Sequence, residues 1–281
     1  MTERFDTASR IVVKIGSALL VDAESGALRR EWLTSLCADV AALKRQGKDV
    51  ILVSSGAIAL GRAALGLKPG ALRLEESQAA AAVGQVQLAE AYAYLLAREP
   101  LIAAQILLTH EDVAHRTRYL NARSTFNTLL RLGVVPVVNA NDTVATDEIR
   151  LGDNDTLGAL TVNLIEGDLL VILTDQEGLF EADPRRQPDA KLISEASLSD
   201  RRLAGMAGDS KGELGRGGMR TKLSAAHTAA RSGASTIIVH GRKPGALLSV
   251  GRGDEVGTLL LPAEAPMAAR KRWIAGQMQL R

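Results

Sequence analysis

Six short runs constrain this chain more than any other feature: Ile11 to Ile15, Val50 to Val53, Ile102 to Leu108, Val134 to Val138, Leu169 to Leu173 and Thr236 to Val239. Each is apolar at nearly every position. A strand with one wet face alternates apolar and polar side chains, whereas a strand covered on both faces does not need to. The runs therefore predict strands buried between layers of helix, which is how parallel sheets are built.

Helical patterns separate the runs. Leu33, Leu36, Val40 and Leu43 mark one face of a helix that Gly47 can end in a left-handed cap. Ser77 to Arg98 reads as a long Ala-rich helix, Arg118 to Leu132 as another ended by Gly133, Asp155 to Glu166 as a third ended by Gly167, and Met219 to Ser232 as a fourth with Gly233 behind it. Strand and helix alternate, which predicts an α/β fold: a three-layer αβα sandwich around a mainly parallel central sheet with right-handed crossovers. With 281 residues the chain is long enough for one large domain or two tightly packed lobes. The least regular stretch, Phe180 to Leu192 with Pro184 and Pro188, is the expected seam, and beyond Pro262 the chain turns Ala- and Pro-rich before a basic stretch at Arg270, Lys271 and Arg272.

Charge narrows the partners. Lys plus Arg is 34 against 32 for Asp plus Glu, a net of +2, too near balance to announce nucleic acid or a membrane surface, and the aromatics are too few for a base-stacking platform. No apolar run approaches the roughly 20 residues of a membrane span. Cys37 is the single cysteine, so no internal disulfide forms and a cytoplasmic setting is expected. Met1 to Arg10 is polar and matches neither a signal nor a transit peptide.

In open parallel sheets ligands bind beyond the carboxyl ends of the strands, and here those ends are rich in small and polar residues. The first run closes on Lys14, Gly16 and Ser17, the second on Ser54, Ser55 and Gly56, the fourth on Asn139, Asn141 and Asp142, the fifth on Thr174 and Asp175. Lys14 reads either as a lysine reaching out to water from a strand end or as a cation aimed at a phosphate, with Gly16 allowing close backbone approach. Two unit charges about 4 Å apart interact by roughly 4 kcal/mol at an effective dielectric near 20. Ser54-Ser55-Gly56-Ala57 fits an anion site at a helix start and a plain capped turn equally.

Asn139-Ala140-Asn141-Asp142 and Gly152-Asp153-Asn154-Asp155 flank one loop. Singly, each reads as a polar loop with a helix cap; together, their amides and carboxylates can grip an amino acid or orient lysines, and they lack a trustworthy metal spacing. Gly212 to Lys222 is rich in glycine and leads into a helix, so it can wrap phosphate or form a surface loop; it matches neither the P-loop nor the dinucleotide fingerprint. His110, His115, His227 and His240 stand singly, with no zinc pattern.

Taken in order, Val13-Lys14-Ile15-Gly16-Ser17, Val53-Ser54-Ser55-Gly56-Ala57-Ile58, Asn139-Ala140-Asn141-Asp142, Gly152-Asp153-Asn154-Asp155, Leu173-Thr174-Asp175 and Gly217-Gly218-Met219-Arg220-Thr221-Lys222 resemble the amino acid kinase family. The resemblance runs from Arg10 to about Pro262 and is strongest to the branch that phosphorylates glutamate. It implies a kinase domain over 1–262, with a glutamate-binding lobe of about 1–167 and a nucleotide-binding lobe of about 168–262. It implies ATP with Mg2+ as phosphoryl donor, L-glutamate as acceptor, L-glutamate 5-phosphate as product in the first step of proline synthesis, proline as feedback inhibitor, and a homo-oligomer, dimer or tetramer.

By the same resemblance Lys14, Lys222 and Asp155 are catalytic, with Asp155 orienting the lysines. Ser55, Asn139, Asp142 and Asn154 would hold glutamate; Lys14, Gly16, Ser17, Thr174, Asp175, Gly217, Gly218, Met219 and Lys222 would hold the nucleotide, with Mg2+ carried by its phosphates rather than by a protein side chain. Arg216 and Arg220 depart from the smaller residues expected in the glycine loop. Residues 263–281 read as a linker toward a small RNA-binding-like PUA domain that this chain lacks. Two other readings stand beside this one: a kinase of the same fold acting on aspartate, acetylglutamate, carbamate or uridylate, and a nucleotide-binding regulator without catalysis.

Overall fold

The computed structural model describes residues 1–68, 70–144, 154–206, 218–252 and 257–263. Eight strands form one sheet: β1 (Arg10–Ile15), β2 (Asp49–Ser54), β3 (Ala103–Leu108), β4 (Val135–Ala140), β5 (Leu169–Thr174), β6 (Glu195–Ser197), β7 (Ser235–His240) and β8 (Thr258–Leu261), in the order β3-β4-β2-β1-β5-β7-β8-β6. The six strands expected from the apolar runs are mutually parallel. At one end β8 runs antiparallel to β7 and carries the short β6.

The helices are α1 (Thr2–Thr7), α2 (Ser17–Leu20), α3 (Arg30–Arg45), α4 (Ala57–Ala64), α5 (Leu74–Ala97), α6 (His110–Ala114), α7 (Arg116–Arg131), α8 (Asn154–Ile165), α9 (Leu203–Met206), α10 (Met219–Ala230) and α11 (Ala246–Ser249). Side chains alternate across β1, so Ile11, Val13 and Ile15 enter one core with α3 and α5, while Val12 enters the other with α7, α8 and α10. Lys14 has the parity of Val12 and so projects toward the α8 and α10 layer. The expected three-layer sandwich is the observed one.

One expectation needs correcting. The run at Ile102 to Leu108 does not make a strand buried on both faces: β3 ends the sheet, only its Leu108 is fully buried, and Ile102 just before it is 68% exposed. The stretch from Phe180 to Leu192 closes on itself through an antiparallel bridge between those two residues, and the sheet runs on past it from β5 to β7 without a break.

Helices α4 and α5 cross where glycine is required. A methyl group at Gly61 would stand 1.7 Å from the Ala80 carbonyl oxygen, and one at Gly84 would stand 1.8 Å from that of Ala57, far inside van der Waals contact. That close crossing fixes α5 against the segment that follows β2. The order of the strands also fixes where a ligand can sit. From β1 the chain goes to β2 on one side, and from β5 it goes on to β7 on the other, so the topological switch point lies between the carboxyl ends of β1 and β5.

Candidate active site

At that switch point β1 ends on Lys14 and Ile15, and the Gly16 N–H donates to the Leu173 carbonyl at 3.1 Å, tying the ends of β1 and β5 together. Lys14 does not reach out to water: it is 6% exposed, because α8 covers it. Its Nζ lies 2.6 Å from Oδ1 of Asp155, in the first turn of α8. Oδ2 of the same carboxylate lies 3.3 Å from Nζ of Lys222, in the first turn of α10, and accepts from the Thr221 hydroxyl at 2.9 Å. Asp155 and Lys222 are 0% and 2% exposed.

Burial by itself would raise the Asp155 pKa. The Lys14 and Lys222 ammonium groups, with hydrogen bonds from Lys14 and Thr221, outweigh it and hold the carboxyl below the usual carboxylate range. The carboxylate is therefore ionised at neutral pH, and the three charged side chains sum to one positive charge. Two helices also start here, α8 at Asn154 and α10 behind Gly218, so the positive ends of both helix dipoles converge on the same place.

Asn154, the neighbour of Asp155, faces a different set of groups. Its Nδ2 donates toward the Ser54 carbonyl at 2.9 Å, the Ser55 hydroxyl at 3.0 Å and Oδ1 of Asn139 at 3.0 Å. Asn139 Nδ2 in turn donates to Oε1 of Gln85 on α5 at 2.7 Å, and the Ser54 hydroxyl is 3.0 Å from the Tyr92 hydroxyl on the same helix. One turn of α8 thus borders a charged centre on one side and an amide-lined pocket on the other.

The structure brings together Lys14, Asp155 and Lys222, and, beside them, Ser55, Asn139 and Asn154. Thr174 is buried and Asp175 exposed at the end of β5, their side chains 3.3 Å apart. Ser17 is exposed at the start of α2; Asp142 is half-buried two residues past β4. Gly218 caps α10 and Met219 is buried in its first turn. Gly217, with Gly152, Asp153 and Arg216, lies outside the described residues, as does 264–281. Arg220 is exposed on α10.

Thr221 and Gln85 carry contacts that the motif reading did not single out. Gln85 had a signal in the sequence: at helical spacing it shares a stripe with Ala81, Leu88 and Tyr92, all buried, and a polar side chain on such a stripe needs a partner.

Fold and site together define an open-sheet α/β protein whose switch point holds two buried lysines on one carboxylate. The family model for the amino acid kinase family matches residues 9–240. Over 274 residues the chain is 56% identical to the glutamate 5-kinase of Chromohalobacter salexigens, and over 276 residues 55% identical to that of Thioalkalivibrio sulfidiphilus. Each match covers 98% of this chain and 72% or 73% of the relative. Among solved structures, carbamate kinase from Giardia lamblia bound to AMP-PNP superposes with a TM-score of 0.63 at 19% identity, covering 91% of this chain and 99% of that one. The UMP kinase from Bacillus anthracis gives 0.59 at 13% identity, covering 92% and 97%; at these identities both speak for the fold alone. The chain belongs to the amino acid kinase family.

Proposed function

We propose that the chain transfers the γ-phosphoryl group of ATP to the γ-carboxylate of L-glutamate, giving L-glutamate 5-phosphate and ADP, as the first step of proline synthesis. The observation that carries the reading is the meeting of Lys14 and Lys222 on Asp155 beside the amide pocket of Ser55, Asn139 and Asn154. Identity near 55% along almost the whole chain to glutamate 5-kinases supports the choice of acceptor.

The chemistry follows from charge. A carboxylate is already a nucleophile and needs no general base. One of its oxygens forms a bond to the γ-phosphorus while the bond from that phosphorus to the bridging oxygen breaks, and ADP keeps the electron pair. The barrier lies in bringing two anions together, which positive groups at the reacting centre lower. In this reading Lys14 and Lys222 neutralise the phosphoryl oxygens, and Asp155 fixes where both ammonium groups stand.

Ser55, Asn139, Asp142 and Asn154, in a lobe of about 1–167, hold glutamate. Gly16, Ser17, Thr174, Asp175, Gly217, Gly218 and Met219, completed by a lobe of about 168–262, hold the nucleotide. Mg2+ neutralises and orients the β- and γ-phosphates when bound. The Asp155 carboxylate is taken up by two lysines and Thr221, so the phosphates rather than this side chain would be the ion's ligands.

Two properties extend the reading. Proline, the end product, fits as an inhibitor of the amino-acid site. Self-association fits the edge strand β3, which among the described residues ends the sheet and has no charged side chain, with Ile102 just before it largely exposed; sedimentation tests it. Among the described residues no helix is long and apolar enough to cross a membrane, and a cytoplasmic setting suits an ATP-consuming enzyme with the single thiol of Cys37.

The test incubates the protein with MgATP and, in turn, glutamate, aspartate, acetylglutamate, carbamate and UMP. Acyl phosphate is trapped with hydroxylamine and ADP release is measured in parallel. Glutamate-dependent hydroxamate is expected. Turnover confined to another acceptor reassigns the substrate, and no turnover with any of them favours a regulator.

A further inference from the structure

We propose that Gln85 is a positioning residue that sets which atom the amide pocket shows its ligand, and with it the preference for an amino diacid over a plain diacid. The inference rests on the glutamate reading above. Its starting point is a hydrogen bond whose direction is not in doubt. The backbone N–H of Ala140 can only donate, so the Asn139 atom it meets at 2.9 Å is the carbonyl oxygen. Asn139 must then turn its NH2 toward Gln85, and the Gln85 atom at 2.7 Å is an acceptor, Oε1.

The same Asn139 oxygen takes a second hydrogen bond, from Asn154 Nδ2 at 3.0 Å. The Ser54 carbonyl, which can only accept, agrees with that orientation from the other side at 2.9 Å. Three acceptors therefore surround the Asn154 NH2, and among the described residues its Oδ1 has no partner and is the end left for a ligand. An oxygen acceptor there selects a donor, and the α-ammonium group is the donor that glutamate has and glutarate lacks.

Asn139 is 3% exposed, so its NH2 requires an acceptor, and Gln85 supplies it. Without Gln85 the amide cannot recover by rotating. A flipped Asn139 would set its NH2 against the Ala140 N–H and the Asn154 NH2, two donor-donor contacts. It would have to shift instead, and Asn154 would lose one of its three anchors. Gln85 also lines a cavity of about 320 Å³ with Tyr92, Gln105 and Val137, so a side chain of similar length fits at this position without displacing the helix.

The test compares Gln85→Met, close in size but without the acceptor, with Gln85→Glu, which keeps it. For the full chain, four quantities are read: kcat, the KM for glutamate, the KM for ATP, and the ratio of the glutarate inhibition constant to the glutamate KM. The expected result for Gln85→Met is a glutamate KM raised about tenfold, the scale of one buried amide left unpaired, a ratio lowered by a similar factor, and kcat and the ATP KM within about twofold. Gln85→Glu is expected to stay within about threefold of the parent throughout.

A Met variant that keeps both the glutamate KM and the ratio overturns the proposal, as does one that loses glutamate and glutarate binding equally. A Glu variant as impaired as the Met variant overturns it too, and circular dichroism shows whether folding is the cause in the Met case; if it is, the Glu variant decides. Failure of the glutamate reading looks different, because the parent chain then turns over another acceptor or none. If the acceptor is another amino acid, the ratio is read with that amino acid and its deaminated counterpart.

Discussion

Asn154 and Asp155 are neighbours on one turn of α8, yet the groups around them have little in common. Asp155 is held by charge, by Lys14 from β1 and Lys222 from α10. Asn154 is held by neutral hydrogen bonds to β2 and β4 through Ser54, Ser55 and Asn139. Charge reaches over several ångströms and suits a group in flight, whereas neutral amides act only in contact and distinguish a donor from an acceptor at a fixed point. The molecule thus sets turnover and recognition side by side on one helix start. Substitutions on the charged side should act on kcat and on pH dependence, and those on the amide side on KM.

The largest expected effect is at Asp155. Asp155→Asn leaves two buried ammonium groups without their carboxylate, and breaking a buried ion pair by removing one partner costs about 3–5 kcal/mol. The sign of the pH dependence follows from the lowered pKa of this group. Its contribution is fully present above the ordinary unfolded value near 3.8 and is lost as pH falls through the lower folded value. Urea unfolding at a series of pH values should show the parent losing stability below about pH 4, with a shallower acid limb in Asp155→Asn. Asn139→Ala, which removes no titratable group, should keep the parent's slope; if it does not, the division between the two sides fails.

Next in size is Lys222→Met, which keeps the length of the buried side chain and removes its charge. Turnover should fall on the order of 100-fold or more, the scale of losing one preorganised donor, with the glutamate KM within about threefold. Steady-state kinetics at saturating MgATP reads both. Normal turnover in this variant would end the assignment of the charged side.

Much of this was legible before the structure. The six parallel strands announce themselves because both faces of each are apolar, and Lys14, Asn154, Asp155 and Lys222 lie where strands end and helices begin. Depth was not legible. Lys14 is buried because a helix that starts 140 residues later lies over it, and no local pattern contains that fact. The edge position of β3 is hidden for the same reason, since strand order follows from the crossovers and not from the run itself. β6 is three residues with exposed ends and gives no periodic signal. Gln85 lies on a buried stripe of an Ala-rich helix, which marks it as a polar group in need of a partner, but which partner it has emerges only beside Asn139. Gly217, an expected nucleotide contact, lies outside the described residues, and Asp142, an expected glutamate contact, is half-buried two residues past β4.

The smallest effect is expected at the far ends of the two helices that meet on Asp155. Asn163 of α8 donates from Nδ2 to the Thr228 carbonyl of α10 at 3.0 Å and accepts at Oδ1 from the Ser232 hydroxyl at 2.7 Å. With Asp155 joined to Thr221 and Lys222 at the other end, α8 and α10 are pinned to each other at both ends. The charged side depends on that pairing, because one of its lysines rides on α10. The amide side does not, because its partners come from β2, β4 and α5. Asn163→Ala should therefore cost about 1–3 kcal/mol of stability for the buried groups it strands and lower kcat a few-fold through a displaced Lys222. The glutamate KM should stay unchanged. Unfolding midpoints and the split between kcat and KM read the two effects separately, and a raised glutamate KM with intact kcat would show that α8 serves both sides as one rigid piece.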